Sequence, residues 1–80
     1  MNTTTMKYVV AVAEQRSFTK ASKDLMVPQP TLSLNIINLE RKLGVPIFNR
    51  STSPITLTSA GRIYVEWAKE AIRAEQKMLE

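Results

Sequence analysis

A mainly α-helical fold with one small β-hairpin is predicted by three observations. Residues 17–40, SFTKASKDLMVPQPTLSLNIINLE, divide at Met26-Val27-Pro28-Gln29 into two short amphipathic segments. Residues 45–57 place two short apolar runs on either side of a Ser/Thr/Pro turn. From Ser59 to Glu80 nothing breaks a helical pattern except Gly61 in its first turn.

Taken in order, a first helix runs from about Thr4 to Gln15, with Met6, Val9, Val10 and Ala13 as its inward stripe. A second opens at the cap candidate Ser17 and sets Ala21 and Leu25 on one face. A third starts around Pro30 and sets Leu32, Ile36, Leu39 and Leu43 on one face; Gly44 can end it in a left-handed cap. The second and third helices, about 18–37, form a helix-turn-helix candidate. In that motif the later helix enters the major groove of DNA, so Gln29 to Leu34 are the first candidates for function.

The runs Val45 to Arg50 and Ile55 to Leu57, around Ser51-Thr52-Ser53-Pro54, read as a hairpin at about 46–57. A hairpin directly after a recognition helix is a wing. Residues 1–58 are therefore expected to form a winged helix-turn-helix, three helices plus a small β-hairpin. Residues 59–80 follow as a long linker or dimerisation helix, capped by Thr58. At about 1.5 Å per residue it spans roughly 33 Å, longer than so small a domain can cover. Its apolar positions Ala60, Ile63, Tyr64, Trp67, Ala68, Ala71, Ile72, Met78 and Leu79 make a stripe wide enough for both its own core and a partner. Covering its own domain accounts for Ile63, Tyr64 and Trp67 but not for Ile72, Met78 and Leu79. The expected dimerisation set is Ile63, Trp67, Ala71, Ile72, Met78 and Leu79.

Composition narrows the function. The 80 residues make one small domain, which a partner subunit would help to stabilise. The absence of cysteine and histidine removes disulfides, thiolate and imidazole metal sites, and the usual nucleophile and base pairs. With its carboxylates dispersed, the chain is not expected to be an enzyme or to carry a cofactor. It holds no apolar run of about eighteen residues and no leader-like N-terminus, so a cytoplasmic protein with no membrane partner is expected. The net charge of +4 is uneven. Residues 16–62 hold seven basic side chains against Asp24 and Glu40, whereas residues 63–80 hold three against four glutamates. Positive charge on the helix-turn-helix fits phosphates, although surplus lysines also serve solubility alone.

These pieces resemble the N-terminal DNA-binding domain of a LysR-type transcriptional regulator. The resemblance rests on KYVVAVAEQRSFTKAS, VPQPTLS, LERKLGVPIFNR, TLTSAG and the long last helix, in that order, and covers essentially the whole chain. It implies a homodimer joined through the linker helices, with higher oligomers open to a full-length protein, reading an interrupted palindrome in double-stranded DNA. It also implies a larger C-terminal domain, not encoded here, through which a small-molecule effector would act. Gln29, Pro30, Thr31 and Ser33 match the pattern at the start of the recognition helix, and Arg50 matches the arginine leading into the wing. The expected DNA-contacting set is Ser17, Thr19, Lys20, Gln29, Pro30, Thr31, Ser33, Leu34, Asn38, Arg50, Thr52 and Ser53. Ordinary helix capping is the plainer role for Gln29 and Ser33, and it is expected alongside DNA contact, since a cap and a phosphate contact use the same end of the helix.

The chain also departs from that pattern. Many family members carry serine where Pro28 stands, arginine where Leu34 stands and further basic residues at Ile37 and Asn38. With Leu32 at the core, Leu34 falls at roughly 200° and Ile37 at roughly 140° around the helix, opposite it. Either Leu34 packs on a thymine methyl, with Asn35 or Asn38 supplying hydrogen bonds, or the exposed apolar residues simply weaken binding. A winged-helix protein-interaction module with weak non-specific DNA binding is the alternative function.

Overall fold

The computed structural model describes residues 3–80, in the order α1 (Thr4–Gln15), α2 (Phe18–Leu25), α3 (Gln29–Leu43), β1 (Phe48–Asn49), β2 (Thr56–Leu57) and α4 (Ser59–Leu79). The boundaries follow from local chemistry. α1 ends where Arg16 turns left-handed at φ 55° and donates its N–H to the Val12 carbonyl at 2.8 Å. Ser17 Oγ then caps α2, accepting the Lys20 N–H at 3.1 Å. Met26, left-handed at φ 57°, closes α2, and Val27 donates to the Ser22 carbonyl at 3.0 Å. Pro28 and Pro30 tolerate the start of α3 because the first helical N–H groups lack partners in any case. Gly44, at φ 76°, ends α3 with its N–H on the Glu40 carbonyl at 2.8 Å.

The wing has only two residues per strand, antiparallel, with Phe48 opposite Leu57 and Asn49 opposite Thr56. Its base is buried and its tip is not. Ile47 and Phe48 join Val9, Val12, Ala21, Leu32, Ile36 and Val65 in one core. Two expected facings need correction. Val12, outside the expected stripe of α1, is fully buried beside Val9, while Val10 and Ala13 pack half-buried against the core and Met6 is half-buried without joining it. Leu43, expected inside, is 46% exposed, because it lines an open groove with Val45, Ile63 and Trp67 instead of entering the core.

The larger correction concerns α4. Gly61, Val65 and Ala68 are its buried residues, while Ile63 and Trp67 are 73% and 54% exposed. Gly61 decides this orientation. A Cβ there would stand 2.1 Å from the Ile47 carbonyl oxygen, so only glycine lets the helix lie against the chain entering β1. Thr58 pins the same junction: its Oγ1 accepts the Gly61 N–H at 2.9 Å and donates to the Pro46 carbonyl at 2.6 Å, and its N–H reaches the Ile47 carbonyl at 3.0 Å. Ile72 and Glu75 continue the inward row by helical phase. Both are half-buried, and Glu75 accepts from Thr3 Oγ1 at 2.7 Å and pairs with Lys7 at 3.4 Å, tying the far half of α4 to the start of α1. Ile72, expected on the partner face, thus shares the row that faces the chain's own domain. Among the described residues no helix is long and apolar enough to cross a membrane.

Candidate nucleic-acid interface

The start of α3 stands clear of the domain. Leu32 and Ile36 are fully buried and root the helix, which leaves Gln29, Pro30, Thr31, Leu34 and Asn38 exposed and Ser33 half-buried. No side chain caps this end. Instead Gln29 Nε2 donates to Ser33 Oγ at 3.3 Å, one turn along, so the two side chains brace each other. The capping role for these residues does not hold, and the free helix start, with its N–H groups and positive dipole end, points outward beside two hydroxyls.

Of the two asparagines on this helix only one is uncommitted. Asn35 Oδ1 accepts from Thr5 Oγ1 at 3.2 Å, and its Nδ2 donates to the Thr31 carbonyl at 3.4 Å. Asn38 is exposed. Leu34 is 55% exposed, whereas Ile37 is half-buried in a hollow it shares with Gly44, Val45 and Pro46. Arg41, exposed and seven residues beyond Leu34, continues the same outer row and lies outside the predicted set. Helical phase alone would have found it.

The fold brings the wing tip to the start of α2. Ser17, Phe18 and Thr19 face Ser53, Pro54 and Ile55 across a hollow of about 460 Å³, with Arg16 at its edge. Thr19, Lys20, Thr52 and Ser53 are exposed. Thr52 Oγ1 donates to the Asn49 carbonyl at 3.1 Å, which steadies the turn, and Ser53 precedes a cis proline, Pro54.

Arg50 sits differently from the rest. Its guanidinium grips Glu40 through two nitrogens, Nη2 to Oε1 at 2.9 Å and Nη1 to Oε2 at 3.1 Å, and lies 5.3 Å from the centre of the Phe18 ring. Glu40 Oε2 also accepts the Ile47 N–H at 2.7 Å and the Phe48 N–H at 3.4 Å. Burial works to raise the Glu40 carboxyl. The Arg50 hydrogen bond and charge, with the two N–H donors, outweigh it and hold the group below its ordinary 4.5. No periodicity in the sequence marks this cluster, because it joins three elements that meet only once folded.

Elsewhere on the surface, Leu43, Val45, Ile47, Ala60, Ile63, Tyr64 and Trp67 line an apolar groove of about 370 Å³. The Tyr64 and Trp67 rings meet edge to face at 5.7 Å. Trp67 and Ile63 begin an outward row on α4 that Ala71 and Met78 extend; Ala71 is half-buried and Met78 is 67% exposed. Leu79, 76% exposed, lies on the other side of the helix in phase with Ile72.

The profile of the bacterial regulatory helix-turn-helix protein, lysR family, matches residues 3–62. The chain is 40% identical to the uncharacterized HTH-type transcriptional regulator YcgK of Bacillus subtilis over 79 residues, 99% of this chain and 24% of that one. It is 45% identical over 71 residues to the probable cat1 operon transcriptional activator of Acinetobacter lwoffii, 88% of this chain and 23% of the other. In structure it is similar to BenM_DBD in the catB site 1 DNA complex, with a TM-score of 0.94 at 35% identity, covering 99% of this chain and 88% of that one. The chain spans about a quarter of the length of these two curated relatives. With its helix-turn-helix, wing and long last helix accounted for, the chain belongs to the lysR family of bacterial regulatory helix-turn-helix proteins.

Proposed function

We propose that the chain is the DNA-binding part of a transcriptional regulator, binding an interrupted palindrome in double-stranded DNA as a homodimer. The observation that carries this reading is the exposed, uncapped start of α3, together with a wing tip set against the start of α2, on the basic part of the chain. Gln29, Pro30, Thr31, Ser33 and Leu34 enter the major groove, and Asn38 follows along the same face. Ser17, Thr19 and Lys20 contact phosphate, while Thr52 and Ser53 reach the flanking minor groove and Arg50 supports the wing. Ile63, Trp67, Ala71 and Met78 meet the same row of a second copy, and a two-fold axis between the copies sets two recognition helices on two half-sites. Residues 1–58 act as the DNA-binding unit and 59–80 as the linker. Longer relatives leave room for a C-terminal domain that takes a small-molecule effector. No catalytic role is assigned, and a cytoplasmic location is part of the proposal, in keeping with a bacterial regulatory family.

Selection of bound duplexes from a random library at fixed salt tests this directly. A two-fold related pair of half-sites is expected, with log affinity falling linearly against log salt. Dimerisation without a salt-dependent shift on any duplex would favour the protein-interaction module instead.

A further inference from the structure

Resting on that reading, we propose that Glu40 is a positioning residue that locks the wing at a set angle to the recognition helix, with Arg50 as its bolt rather than as a phosphate contact. The wing cannot hold its own direction. Two residues per strand make a hairpin too short to be stable alone, so its orientation must come from whatever grips its base. Glu40, in the last turns of α3, supplies that grip. It accepts the Ile47 and Phe48 N–H groups where the chain enters β1, at 2.7 and 3.4 Å, and both Arg50 nitrogens where the chain leaves it, at 3.1 and 2.9 Å. Arg50 in turn rests on Phe18, the first residue of α2, and Phe18 packs edge to face on Phe48 at 5.7 Å. Recognition helix, first motif helix and wing thus converge on one carboxylate. That carboxylate is one of only two acidic side chains in residues 16–62. On a surface that must attract phosphates it is electrostatically unfavourable, and geometry offsets that cost.

The two effects have opposite signs, which makes the proposal testable. Glu40→Gln keeps the shape and an acceptor for Ile47 but removes the charge and the two-pronged grip. If Arg50 were a phosphate contact restrained by Glu40, this variant would free it, raise the net positive charge and bind DNA more tightly. A positioning role predicts binding weaker by roughly tenfold or more, the scale of one lost charge-assisted hydrogen bond. Arg50→Lys keeps the cation but cannot reproduce the bidentate, ring-stacked arrangement, so it should lose as much. The double variant should be no worse than either single one.

The probe is the duplex selected by the unaltered chain. Hydroxyl-radical protection of the flanks that the wing reaches should fall in both variants. Methylation interference at guanine N7 in the central contacts of each half-site should stay unchanged, with thermal melting followed alongside. Equal or tighter binding by Glu40→Gln would overturn the proposal, as would an Arg50→Lys variant of unaltered affinity. A loss shared evenly by flank and centre would also overturn it, since that is the signature of general destabilisation. Failure of the unaltered chain to bind any duplex would instead remove the DNA-binding reading beneath it.

Discussion

The outward faces of α3 and α4 carry opposite chemistry. Along α3, Gln29, Thr31, Leu34, Asn38 and Arg41 present amide, hydroxyl and guanidinium groups around one isobutyl side chain. Along α4, Ile63 and Trp67 border a groove floored by Val45, Ile47 and Ala60, with scarcely a polar atom in it. Both helices are rooted by the same kind of inner row, Leu32 and Ile36 in one, Val65 and Ala68 in the other. Amphipathicity therefore explains how each helix is held, and the chemistry of the face left over explains what each can bind.

Breaking the apolar face should have the largest effect. Ile63→Glu with Trp67→Glu removes side chains whose burial is worth about 1.5 to 3 kcal/mol each, on both copies of a dimer. Sedimentation should show a monomer of unchanged melting temperature that binds single half-sites weakly and has lost its preference for the palindrome. Ile72→Glu is the contrast: it lies in the inner row, so it should lower the melting temperature. A dimer that survives the first change would move the interface away from this face.

The inner row can be tested at its root. Gly61→Ala drives a Cβ to within 2.1 Å of the Ile47 carbonyl oxygen, and the shift needed to relieve it should cost about 1 to 3 kcal/mol of stability by denaturant unfolding. An alanine variant as stable as the parent would show that α4 is not set by this approach.

Gln29→Ala sharpens the polar face. A loss of about 1 to 3 kcal/mol on the selected duplex, with relaxed preference at one base pair, is expected in binding titrations. For Leu34→Ala the loss should be greater on a site bearing thymine than on the same site bearing uracil. Equal losses would show that Leu34 reads no methyl group.

The smallest effect concerns acid. Because Glu40 is held below its ordinary value, its contribution to stability is fully present above pH 4.5 and is lost as pH falls through that value and below. Glu75, lowered by the Thr3 hydrogen bond and by Lys7, acts in the same direction. Melting temperature followed from pH 6 to pH 3 should decline less steeply in Glu40→Gln than in the parent.

Much of this was legible in the chain because it is local. Ser17, Thr58 and Gly44 end or begin helices through contacts within four residues, and the turn around Pro54 separates two strands that follow one another directly. Those features, in their order, also carry the family. What periodicity supplies is the angle between residues on one helix. It does not supply the rotation of that helix against the rest of the molecule. Of Ile63, Tyr64 and Trp67, read as residues that cover the chain's own domain, only Tyr64 packs on the core; the fold buries Val65 and Ala68 and leaves Ile63 and Trp67 exposed, because Gly61 presses on the Ile47 carbonyl and fixes the rotation there. The joining of Glu40, Arg50 and Phe18, the tethering of Asn35 by Thr5 and the exposure of Leu43 are of the same kind. Each depends on which elements lie side by side, and that is settled only when the whole core closes.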